Sequence, residues 1–329
     1  MKFGIELLPA TKIEKLVGTA VDAEQRGFEF CWVTDHYNNR NVYVSLGAIA
    51  AQTSKLLLGT GVTNPYTSNP CWTAAAIASI DEVSDGRAVF GIGAGDKATL
   101  AQLGIPWTKP LTAVKEAVQI IRTLLNNEKS KLKGQVFEIS GAKFNFKTKR
   151  SIPIYIGAQG PKMLKTAAQY GEGVLINASS PKDFDVALPN IKEGCEAAGK
   201  SLSDVDVVGY TCFSVDDDAA AARKEASSVV AFIVAGSPPP VLEHHGIAVS
   251  DADKIKDAIA KGDFGTAFGS VTEDMINAFA VAGKADDCID RIKALEKAGV
   301  TQFVVGSPIG VKKKRALEIF GESIKPKFG

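Results

Sequence analysis

Four side chains in this sequence could move protons, and each stands where a run of apolar residues stops. Glu6 interrupts the opening KFGIEL, Asp35 and His36 follow FEFCWVT, and Asp96 follows RAVFGIGAG. A carboxylate at a dry strand end favours its protonated form and suits a general acid. Plainer readings stand beside these: Glu6 paired with a lysine or a backbone amide, Asp35 or Asp96 as a helix cap, His36 as a packed ring. Glycines cluster at the same places. LLLGTGVTNPYTSNP carries Gly59 and Gly61 ahead of Val62, GIGAGD carries Gly91, Gly93 and Gly95, and GAQGP carries Gly157, Ala158 and Gly160. Glycine weakens a strand and often marks a bulge or a close approach of ligand to backbone. Gly59 and Gly61 are equally readable as room for neighbouring side chains. GIGAGD follows a fourth strand with GxGxG spacing and so is not the GxGxxG of a dinucleotide loop. Together with GAQGP it marks two places where backbone comes close to a flat or phosphorylated ligand.

The elements that must position these residues alternate along the chain. Apolar segments at 2–7, 28–35, 56–63, 87–95, 152–158, 173–178, 204–215 and 301–308 read as strands. Amphipathic segments separate them, beginning with 11–27, where Ile13, Leu16, Val17, Ala20 and Val21 share a face and Gly27 stops the helix. Strands apolar nearly throughout belong to a parallel sheet covered by helices. Eight units in one order predict a closed (β/α)8 TIM barrel as a single domain over 1–329, with an open doubly wound sheet as the alternative. Residues at the C-terminal strand ends then form one rim: Glu6, Asp35, His36, Gly61 to Asn64, Gly93, Gly95, Asp96, Gly157 to Gly160, Asn177 and Ser307. Two stretches depart from the repeat. Residues 126–152 contain GQVFEISGAKFNFKT, which alternates around Gly141 as a small hairpin, and 216–284 form a predominantly helical insertion between strands seven and eight.

With 45% hydrophobic and 23% charged residues and a formal net charge of +1, the chain is expected to be a soluble globular protein and not a nucleic-acid binder. The lysine runs KSKLK and VKKKR are short enough to be solvated faces. Five dispersed cysteines without a CxxC pair, and three histidines, suggest neither a disulfide framework nor a metal site. No apolar run reaches the roughly 20 residues of a membrane helix. A cytoplasmic location is expected.

MKFGIEL, WVTDHYNNRN, LGTGVTNPYTSNP and GRAVFGIGAGDKATLAQLGI, in this order, resemble the bacterial luciferase-like barrels. More narrowly, the whole chain is similar to the coenzyme F420-dependent 5,10-methylenetetrahydromethanopterin reductases. The resemblance implies a non-prolyl cis peptide at Gly61 and Val62 behind the deazaflavin ring. It implies hydride transfer from reduced F420 to methylenetetrahydromethanopterin, or its tetrahydrosarcinapterin counterpart, in methanogenesis from CO2. F420 is then a bound co-substrate, with no metal, FMN or FAD. Asp35, His36, Gly61, Val62, Gly95, Gly157, Ala158, Gly160 and Asn177 would line the deazaflavin and its phosphate. Glu6 and Asp96 would face the pterin, where one acid must protonate N10. A homodimer or homotetramer is implied as well. The competing expectations are another F420-dependent dehydrogenase acting on an alcohol or sugar phosphate, a flavin monooxygenase, and a non-catalytic flavin-binding barrel.

Overall fold

The computed structural model describes residues 1–328. Its strands are β1 (Lys2–Leu7), β2 (Phe30–Val33), β3 (Leu57–Thr60), β4 (Ala88–Ile92), β5 (Ser130–Lys133), β6 (Glu138–Ala142), β7 (Ile154–Gly157), β8 (Gly173–Asn177), β9 (Asp206–Val215), β10 (Ala280–Gly283) and β11 (Gln302–Ile309). They hydrogen-bond in the order β10-β9-β11-β1-β2-β3-β4-β7-β8, and β9 also pairs with β8. Eight of them, all but β5, β6 and β10, form the closed parallel barrel. The chain divides into two compact units, one of residues 4–176 and 186–208, the other of 1–3, 177–185 and 209–329.

In the first unit, β1, β2, β3 and β4 are in continuous register, with Glu6 opposite Trp32 and Trp32 opposite Gly59. Large rings fill the space between strands. Trp32 stacks on Phe30 at 5.9 Å and meets Tyr155 edge-on at 5.1 Å. Gly59 exists to admit them: a Cβ there would lie 2.7 Å from both Trp32 and Val89. Of the two readings open for Gly59, room for packing is therefore the one the structure supports. The hairpin of β5 and β6 turns at residues 134–137, and Gly141 lies inside β6 rather than at the turn. What fixes the turn is distant in sequence. The Glu116 carboxylate accepts the amides of Gln135, Val136 and Phe137 at 2.7 to 3.0 Å.

In the second unit, Phe213 meets Phe303 and Phe320 edge-on at 6.0 and 5.8 Å, and Phe3 meets Phe320 at 5.3 Å. The segment between β9 and β11 folds into helices Ala219–Gly236, Pro239–His244, Val249–Ala260, Phe264–Gly269 and Glu273–Phe279 around Val230, Val234, Leu242, Ile255 and Met275. It also holds a strand the sequence reading did not contain. In β10, Ala280 to Gly283 run parallel to Cys212 to Val215. Among the described residues no helix is long and apolar enough to cross a membrane.

Candidate active site

The end of β3 is built into the end of β4. Gly61 and Val62 are joined by a cis peptide bond, at the place the resemblance implied. Past it, the Thr63 amide donates to the Gly91 carbonyl at 3.1 Å and the Gly93 amide donates to the Thr63 carbonyl at 2.8 Å. Thr60 fastens the same junction, its hydroxyl donating to the Gly91 carbonyl at 2.6 Å. The half-buried Val62 then lies over two glycines. A Cβ at Gly93 would stand 2.9 Å from Val62 Cγ2, and one at Gly157 would stand 3.4 Å from it. A methyl at Gly91 would run into the Thr60 carbonyl oxygen. Gly91 and Gly93 thus make room for Thr60 and Val62. Gly95 is different, with φ at +72°, a left-handed backbone that favours glycine. Asn64 packs against it and accepts the amides of Tyr66 and Thr67 at 2.9 and 3.1 Å.

The four proton-bearing candidates fare unequally. Glu6 is half-buried in β1. Asp35 is half-buried past the end of β2, and the Thr63 hydroxyl donates to its Oδ2 at 2.6 Å. His36 is exposed, and its charge bears on Asp96. Asp96 caps the helix Lys97–Gln102, accepting the Thr99 amide at 2.7 Å. Burial pushes its carboxyl upward, but hydrogen bonds from the Thr99 side chain and from the Thr99 and Ala98 amides, with the charge of His36, outweigh this and hold it below the usual carboxylate range. An anion held that way is a poor acid, which favours the cap reading of Asp96 over that of proton donor.

Gly157 ends β7, and the buried Ala158 donates its amide to the Leu175 carbonyl at 3.0 Å. Gly160 precedes the helix Pro161–Tyr170, and a Cβ there would meet nothing within 4 Å, so backbone is open to approach. Asn177 is exposed at the end of β8 and belongs to the second unit. Sequence reasoning placed Thr63 on the rim without a role of its own and did not reach Tyr43. The Tyr43 hydroxyl is buried facing those of Thr63 and Thr73, outside hydrogen-bond geometry. Burial and the charge of Asp35 push the phenol up, and the threonine hydroxyls, which pull the other way, do not offset them. Thr63 meets Asp35 just past the paired ends of β2 and β3, where Val33 lies opposite Thr60. Among the described residues, no three His, Cys, Asp or Glu side chains are grouped to hold a metal ion.

The model of the luciferase-like monooxygenases matches residues 1–302. The chain belongs to that family. Within it, the chain is 53% identical to a 5,10-methylenetetrahydromethanopterin reductase of Archaeoglobus fulgidus, over the full length of both. The solved coenzyme F420-dependent tetrahydromethanopterin reductase of Methanopyrus kandleri superposes with a TM-score of 0.97, at 47% identity, covering 100% of this chain and 99% of that one. An F420-dependent secondary alcohol dehydrogenase solved with an F420-acetone adduct gives a TM-score of 0.81 at 22% identity over 98% of each chain, a likeness of fold alone.

Proposed function

We propose that this chain transfers a hydride from reduced coenzyme F420 to 5,10-methylenetetrahydromethanopterin, giving the N5-methyl product. One observation carries the reading: identity to reductases of this activity near half of all positions, sustained over the whole chain. The site of the first unit fits a flat ring system. Val62 offers a methyl-bearing wall kept clear by Gly93 and Gly157, and the open backbone at Gly160 suits the polar side of such a ligand. The bound deazaflavin supplies the hydride. The protein's residues do the rest. Val62 backs the ring, Asp35 accepts a hydrogen bond at its edge, and Glu6 delivers the proton at N10 that frees the one-carbon bridge. Asp96 caps the helix Lys97–Gln102, to which Tyr37 also donates, at Gln102, at 3.1 Å. We extend the reading to a homodimer or homotetramer working in the cytoplasm, checked by sedimentation of the purified protein.

The test is anaerobic titration with reduced F420, NADPH and FMN in turn. The deazaflavin alone should bind and become oxidised when the pterin is added. Stoichiometric FMN that supports turnover would overturn the reading.

A further inference from the structure

We propose that Thr63 is a positioning residue, aiming the Asp35 carboxylate at the bound ring system through a hydrogen bond to Oδ2. The proposal rests on the reading above, in which Asp35 lines the ligand site. The bond from Thr63 Oγ1 is 2.6 Å long, in the range of a hydroxyl donating to an ionised acceptor. What makes it directional is the difference between its two ends.

Thr63 cannot adapt. It is 3% exposed, its amide and carbonyl are both committed to β4, and it forms a bridge with Ile92. Asp35 has no such support, lying in the irregular stretch after β2. Its nearest fixed backbone point is the preceding residue, where the Thr34 amide donates to the Leu7 carbonyl at 3.1 Å. The carboxylate therefore takes its orientation from the hydroxyl and not the reverse. The Tyr43 hydroxyl sits behind Thr63 but makes no hydrogen bond, so the threonine proton is not drawn to that side. One oxygen of Asp35 is held, while Oδ1 takes no hydrogen bond from any described residue. A pre-aimed Oδ1 lowers the ordering cost of binding an N–H or O–H donor at the edge of the ring.

A threonine that merely satisfied a half-buried carboxylate would show the same distance, so the test must read coupling as well as loss. Deazaflavin Kd, KM and kcat are measured for Thr63→Val, Thr63→Ser, Asp35→Ala and the double variant Thr63→Val with Asp35→Ala, with thermal melts of each. Thr63→Val should weaken deazaflavin binding about tenfold, the scale of one hydrogen bond to a charged group. The loss should fall mainly on KM, Thr63→Ser should restore binding to within about threefold, and Thr63→Val should add nothing once Asp35 is alanine. Should the valine variant not fold, Thr63→Ala, which removes the hydroxyl and adds no new methyl, takes its place. If Asp35→Ala leaves deazaflavin binding unchanged, the underlying reading of Asp35 fails. If Asp35→Ala weakens binding but Thr63→Val does not, or weakens it equally in both backgrounds, the positioning role of Thr63 is overturned while that reading stands.

Discussion

Gly93→Ala places a methyl 2.9 Å from Val62 Cγ2, while the nearest atoms of Gly157 stay at 3.9 Å. Carbon pairs settle near 3.5 to 4.0 Å, so Val62 must retreat by about 0.6 Å or turn away from its wall. Overpacking of this kind costs about 1–3 kcal/mol. If about 1 kcal/mol of that falls on the surface that backs the ring, deazaflavin Kd rises roughly fivefold. Gly59→Ala is the matched control. Its methyl would stand 2.7 Å from Trp32 and Val89, with Val62 not among its nearest atoms, so the same class of strain should lower stability and leave Kd within about twofold. Fluorescence quenching of the deazaflavin gives Kd, and thermal melts give stability. The reasoning is refuted if the two variants lose stability and affinity in the same proportion, because Gly93 would then be a packing glycine like Gly59.

Glu6→Gln keeps the shape of the side chain and loses its proton, so turnover should fall by about 10² to 10⁴-fold with deazaflavin binding little changed, as stopped-flow and titration would read. Asp96→Asn should retain near-normal turnover, since asparagine caps a helix as well as aspartate does; abolished turnover would return the acid role to Asp96. Glu116→Gln should lower the melting temperature at neutral pH, because one amide oxygen cannot replace a carboxylate that accepts three backbone amides. Burial pushes Glu116 upward, but those amides and Lys109 hold it below its ordinary value. Its contribution is thus fully present above the unfolded carboxylate range and lost as pH falls through the lowered folded value. Glu116→Gln should flatten that acid limb of the melting curve, and an unchanged limb would count against the clamp.

The barrel was legible because its strands are buried on both faces, which writes them as unbroken apolar runs between amphipathic helices. β10 was not, since Ala280 to Gly283 continue the small apolar pattern of the helix Glu273–Phe279 without a turn signal. The hairpin was seen but its turn was misplaced, because the carboxylate that fixes residues 135–137 sits about 20 positions upstream. For the site, the strand ends pointed to Glu6, Asp35, Asp96 and the glycines as candidates. Sequence could not say that Gly91 and Gly93 serve Thr60 and Val62, nor that Asp96 is spent on helix amides, since both depend on contacts across the junction of β3 and β4 or on cap geometry. The pairing of Thr63 with Asp35 spans 28 positions and appears only once β2 and β3 are paired.

Hydride transfer between the two bound ligands is tested most directly by label. Reduced F420 carrying deuterium at both C5 positions is incubated anaerobically with the protein and methylenetetrahydromethanopterin, and the N5-methyl product is weighed by mass spectrometry. The account expects one deuterium in each methyl group formed. A methyl group without deuterium, formed at the full rate of turnover, would contradict it.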